Sequence, residues 1–230
     1  MQGAVSTEAL VGATAAVAAL YFAAAGLLQH LSFHSYGWDL GIFDQILWSA
    51  TQGRPFDYSF RGYVYLGDHF QPLLIFLAPT AWLGAGPVPL LIVQGIALGA
   101  AVIPLYAATR RLAGNTAAWC AVGAYILSLS VARAVANDFH PECFVPPLAF
   151  SALWTLTVGR TREFVLLCVS LLLMKEDMSL LVLGLCAVAW LEFGQAKLAR
   201  NMAIGAIAYT ASISLLVMPL LVGNDTNPMQ

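Results

Sequence analysis

Between Ala9 and Leu31 the chain carries no Asp, Glu, Lys or Arg, and that run restricts the possible folds more than any other feature. A helix needs about 20 predominantly apolar residues to cross the hydrocarbon core of a bilayer. The run is longer than the roughly 7–15 residue apolar core of a secretory signal, and no basic residue precedes it. It therefore reads as an uncleaved first transmembrane helix. Further apolar runs at 88–109, 115–136, 142–158, 164–174, 178–193 and 201–222 predict about seven transmembrane helices. The piece 72–83 is too short to span, contains Pro79 and stops at Gly84-Ala85-Gly86-Pro87, so it is expected to lie along the membrane surface. Composition agrees: 10% of the residues are charged, against roughly 25% in a soluble domain. The expected fold is all-α and integral to a membrane, one membrane domain over 1–230 with no soluble domain.

Charge placement orients the bundle. Arg110-Arg111, Arg160 with Arg162, and Lys197 with Arg200 occupy short connections between apolar runs, and basic loops mark the cytoplasmic side. With 72–83 on the surface and seven crossings, the N-terminus shares the side of all three clusters. The acids and histidines at 34–44, 68–69, 137–142 and 175–177 then fall together on the extracytoplasmic side. Arg54 and Arg61 in the first outer loop, and Arg133 near the outer end of the third span, are the exceptions.

The first outer loop, 32–71, is the only sizeable hydrophilic segment. Phe43, Ile46, Leu47 and Ala50 recur in it at helical spacing, which predicts an amphipathic interfacial helix over about 40–51, ended by Gly53-Arg54-Pro55. Asp39 stands where an N-cap would, and Asp44 falls on the wet face. Yet His34, Asp39, Asp44, Asp68, His69, Asp138, His140, Glu142, Glu176 and Asp177 form one ionisable set, each against a span or interfacial helix. A merely solvated loop would spread its charge, so the set reads as a candidate site. Pro141 suits the first position of a helix. Lys175-Glu176-Asp177 interrupts an apolar stretch, where charges must be paired or hydrated. Lys175 and Arg133 are the candidate ligands for an anionic phosphate.

Several chemistries lack their signatures. No GxGxxG, P-loop or Ser/His/Asp motif occurs, and no basic patch suits nucleic acid. Cys120, Cys143, Cys168 and Cys186 are far apart without metal-ligand spacing, and read as apolar packing residues. Carboxylates with a histidine could take a hard divalent cation, but no fixed spacing singles one out, so no metal or other cofactor is assigned.

Four stretches carry a resemblance: Asp39-Leu40-Gly41-Ile42-Phe43-Asp44-Gln45, Gly67-Asp68-His69-Phe70-Gln71-Pro72, Asp138-Phe139-His140-Pro141-Glu142 and Lys175-Glu176-Asp177. Together they resemble the DUF2079 family of prokaryotic polytopic membrane proteins. The wider architecture is similar to the C-superfold (GT-C) membrane glycosyltransferases. That likeness implies a polyprenyl-phosphate-linked sugar donor and transfer on the outer face of a prokaryotic plasma membrane. It implies catalytic roles for Asp39, with Asp44 as the fallback base, and for Asp138. It also implies substrate contacts for His34, Asp68, His69, Arg133, His140, Glu142, Lys175, Glu176 and Asp177. Two other functions fit the pattern: a transporter or lipid flippase using the outer acidic and histidine cluster, and a non-catalytic membrane assembly subunit.

Overall fold

The computed structural model of the protein describes residues 6–223, and every regular element among them is helical. Helix α1 (Thr7–Leu31) opens where the Ser6 side chain accepts the Ala9 N–H, one of the donors a helix start leaves unpaired. It packs antiparallel to α3 (Val88–Ala100). Gly95 and Gly99 meet Ala23 and Ala19 so closely that a methyl on either glycine would overlap the facing alanine backbone. Two helices without large side chains at the contact can approach this far and gain dispersion along their length.

Helix α4 (Val102–Ile126) follows α3 almost without interruption, then breaks at Gly114, whose φ of 86° and ψ of 177° suit glycine alone. The chain doubles back there. Tyr125 donates its hydroxyl to the Leu98 carbonyl at 2.9 Å, and the Tyr106 ring lies 5.0 Å from that of Trp119. The segment Val88–Ala136, which includes α5 (Leu129–Ala136), is therefore a helical hairpin. Among the described residues, three segments are long and apolar enough to cross a membrane: Thr7–Leu31, Val88–Ala136 and Ala196–Gly223.

Helices α6 (Val145–Thr157), α7 (Thr161–Leu172) and α8 (Ser179–Leu191) have 13, 12 and 13 residues. At 1.5 Å per residue each spans roughly 20 Å, less than the ~30 Å hydrocarbon core. The expected spans 142–158, 164–174 and 178–193 are thus helical but short. Helix α9 (Ala196–Ser212) runs through a π-helical turn, Ile213–Val217, into α10 (Met218–Gly223).

One expectation for the first loop needs correction. Helix α2 (Trp38–Thr51) begins two residues earlier than its apolar stripe suggests, and its cap is Gly37 in the left-handed region at φ 70°. Asp39 therefore sits inside the first turn and is not the N-cap. The piece Pro72–Leu83 forms a 3-10 helix, its Pro72 at the start and Gly84 in the left-handed conformation at the end. Pro79 withholds a backbone donor inside it, which fits the tighter, poorer ladder.

Burial divides the molecule into two apolar cores. One joins α1 to α5 with the loop segments, through residues such as Phe22, Leu40, Leu98 and Phe139. The other joins α6 to α9, through Leu156, Phe164, Leu171, Val182 and Ala206. Cys143, Cys168 and Cys186 are buried in this packing, whereas Cys120 is exposed. The acids and histidines of the four motifs and Lys175 gather at one end of the helices, while Glu8, Glu163 and Glu192 lie toward the other. Arg110, Arg111, Arg160, Lys197 and Arg200 lie at the far ends of the same helices, where Arg110 and Arg111 line a groove with Glu8 of α1. The N-terminus itself, expected on that basic side, lies outside the described residues.

Candidate functional site

The four motifs meet at the acidic end, across the seam between the two cores. Asp39, in the first turn of α2, places Oδ2 3.3 Å from His140 Nε2, and its side chain is 53% exposed. A carboxylate near a helix N-terminus is favoured by the helix dipole, so its position costs little. His140 is fixed from behind. Its backbone N–H donates to Gln94 Oε1 at 2.9 Å, while Gln94 Nε2 donates to the Asp138 and Ala134 carbonyls at 2.7 and 3.2 Å. The imidazole also packs edge-on to Phe43 of α2.

Two residues further on, Glu142 accepts a 2.8 Å hydrogen bond from Lys175 Nζ on Oε1. Gln71 Nε2 donates to the same oxygen at 3.4 Å, and Tyr65 donates its hydroxyl to Gln71 Oε1 at 2.7 Å. Glu142 Oε2 is buried and has no hydrogen-bond partner among the described residues. Next along the chain from Lys175, Glu176 takes the Phe70 N–H on Oε2 at 2.9 Å and faces His69 Nδ1 from Oε1 at 3.2 Å. Thr210 of α9 donates to the Glu176 carbonyl at 3.0 Å. Residues from all four motifs are thereby linked in one ribbon, Asp39–His140, Glu142–Lys175 and Glu176–His69.

These contacts set the protonation balance. The hydrogen bond to Glu176 holds the His69 imidazole above its ordinary value, against the opposing effect of burial. Burial pushes the Glu176 carboxyl up, but hydrogen bonds from His69 and from backbone N–H groups outweigh it and hold the acid below its usual range. Burial would lower Lys175, yet the Glu142 carboxylate reverses that and raises it. Asp44 is raised by burial alone.

The other candidates stand apart from the ribbon or serve its scaffold. Asp138 is 2% exposed and left-handed at φ 62°, and its Oδ2 accepts the Tyr36 N–H at 2.8 Å. It ties the first loop to the end of α5. Asp68 accepts from the Tyr58 hydroxyl at 3.2 Å and lies 3.8 Å from Arg61 Nε. His34 is exposed and contacts Ser32. Asp44 is partly buried on α2, and Asp177 and Arg133 are exposed. Gln94, Gln71 and Tyr65 hold the site yet carry no charge. A lone amide inside the apolar run 88–109 was the available signal for Gln94.

Beside the ribbon opens a cleft of about 500 Å³, bounded by Gln94, His140 and Glu142 at its polar end and by Leu98, Val131, Ala149, Phe150 and Leu181 along its walls. Among the described residues no group of three His, Cys, Asp or Glu side chains is disposed to hold a metal ion. The long apolar segments of this helical bundle mark a membrane protein, and its paired acids, histidines and lysine gather at one extremity of the helices. Residues 29–230 match the DUF2079 family, described as a predicted membrane protein, and the chain belongs to that family. No curated protein and no solved structure matches it.

Proposed function

We propose that the protein is a membrane glycosyltransferase that moves a sugar from a polyprenyl-phosphate donor to an acceptor hydroxyl on the extracytoplasmic face of a prokaryotic plasma membrane. The helices would make about seven crossings, with basic loops in the cytoplasm. The observation that carries this reading is the Asp39–His140 pair, an exposed carboxylate oriented by a histidine that also lines an apolar-walled cleft. Such a cleft lets an amphiphilic donor keep its tail among apolar side chains while its headgroup reaches the polar end.

In this scheme Asp39 removes the proton of the acceptor hydroxyl as its oxygen bonds to the sugar anomeric carbon. The bond from that carbon to the phosphate oxygen breaks, and its electron pair leaves with the lipid phosphate. Lys175 supplies positive charge to the departing phosphate, and Glu142 fixes the ammonium through its 2.8 Å contact. His140 positions Asp39 through their 3.3 Å contact. Asp138 holds the floor, and Asp44 stays outside the reacting set.

The test is transfer of labelled sugar from polyprenyl-phosphate donors by the purified protein in lipid vesicles. Asp39→Asn should lower turnover by about two orders of magnitude or more, with donor binding retained. Undiminished transfer in that variant overturns the assignment of the base. Absence of transfer with every donor sugar, alongside proton-dependent movement of a lipid or solute, would instead support a transporter or flippase.

A further inference from the structure

At the basic end, α8 and α9 enclose a second groove, of about 440 Å³, whose lining differs from that of the site cleft. Its floor is Leu183, Cys186, Ala187, Ala199 and Ala203, and its mouth carries Trp190, Lys197 and Arg200. No carboxylate lines it, and neither cation has an acidic partner within 4 Å among the described residues. Both cations lie near the start of α9, which has no acidic residue in its first turn and whose cap, Gln195, gives no side-chain hydrogen bond. Positive charge is disfavoured there by the helix dipole. Trp190 is 60% exposed beside the two cations, an amphipathic ring of the kind that settles at headgroup level.

We infer that this groove binds one anionic phospholipid, with the phosphate between Lys197 and Arg200 and an acyl chain along the small-residue floor between α8 and α9. Charge complementarity selects the occupant. Two cations without a carboxylate favour a headgroup of net negative charge, and nothing acidic in the lining offers a partner for an ammonium headgroup. The phosphate offsets the repulsion between the cations and faces the open start of α9, while the apolar floor supplies what a free phosphate ion cannot use. The other basic groove is less suited. Glu8 lines it, and Arg111 there already donates to the Thr157 carbonyl at 3.3 Å. The inference is independent of the sugar-transfer reading, because it concerns the opposite end of the helices.

The experiment uses the full chain, stripped of lipid in a neutral detergent and titrated with phosphatidylglycerol. Binding is read by native mass spectrometry and by the rise in thermal midpoint. Lys197→Ala/Arg200→Ala should weaken phosphatidylglycerol binding on the order of tenfold or more and remove the thermal rise, whereas Lys197→Arg should keep both. Arg110→Ala/Arg111→Ala removes the same charge from the same end and should leave the binding within about twofold, since the site is local. Equal weakening by the two double variants would show diffuse attraction and overturn the site. So would equal binding of phosphatidylcholine, or an equal thermal rise with inorganic phosphate alone. A lipid-free Lys197→Ala/Arg200→Ala protein with the wild-type elution volume and midpoint excludes misfolding as the cause.

Discussion

Lys175, His69 and His140 each meet a carboxylate at 2.8 to 3.3 Å at one end of the helices. At the other end Arg110, Arg160, Lys197 and Arg200 meet none within 4 Å among the described residues. Arg160 instead rests over the Trp154 ring, 5.4 Å from its centroid. The difference is one of environment. The acidic end is partly buried across a seam between two cores, where an unpaired charge is costly. The basic end is exposed, and water or lipid headgroups can serve as its partners. One end is ordered by its own side chains, and the other is left for its surroundings to complete.

The largest expected effect tests whether the two ends belong to one mechanical unit. Gly95→Leu drives a side chain into the Ala23 backbone midway along the α1–α3 contact. It should cost about 3 kcal/mol or more, lowering the thermal midpoint and disordering both ends together. A variant that lost site contacts while keeping phosphatidylglycerol binding would show that the ends are separate. Next comes Lys175→Ala, which leaves the half-buried Glu142 without its cation, its side chain 31% exposed. A loss of about 2 kcal/mol is expected in chemical denaturation. Adding Glu142→Gln should restore part of it, and a strictly additive pair would deny the coupling.

The sequence shows much of this contrast, because apolar runs and charge signs are local properties. The grouping of the four motifs and the apolar stripe of α2 were legible. What was not legible depends on partners distant in the chain. Asp138 has the look of a reactive acid beside Asp39, yet only the fold shows its carboxylate turned onto the Tyr36 N–H. Asp39 looks like a cap because the spacing of Phe43, Ile46 and Leu47 does not fix the first turn, which Gly37 starts earlier. Gly95 and Gly99, four apart in an apolar run, were a readable sign of close helix packing. The alanines they meet could not be read off without the pairing of α1 and α3. Gln94 has no charge to mark it, and its task is set by carbonyls 40 and 44 positions away in the chain.

A smaller effect comes from pH at the His69–Glu176 pair. His69 is raised above its ordinary 6.5, so its stabilisation is fully present below pH 6.5 and fades as pH rises through the folded value. Glu176 is lowered from 4.5, so its share is present above pH 4.5 and fades as pH falls through the folded value. Together they place the pair's maximum contribution between about pH 4.5 and 6.5. His69 is 45% exposed, so solvent screening keeps the effect under about 1 kcal/mol. Thermal midpoints of wild type and His69→Gln should therefore differ most in that window and converge toward pH 9. A difference that grew with pH would reverse the sign and break the assignment.

The smallest expected change is the sharpest check on the contrast itself. Lys197→Ala removes a cation as Lys175→Ala does, but from an exposed position near the start of α9 where no acid waits for it. In lipid-free detergent it should shift stability by no more than about 0.5 kcal/mol, in either direction. A slight gain is reasonable, because positive charge opposes the helix dipole there. Raising the salt concentration should shrink any such gain toward zero, while only phosphatidylglycerol should make the wild type the more stable of the two. If Lys197→Ala cost as much as Lys175→Ala without lipid, the basic end would hold a protein partner for its cations, and the distinction between a self-paired end and a bilayer-completed end would fail.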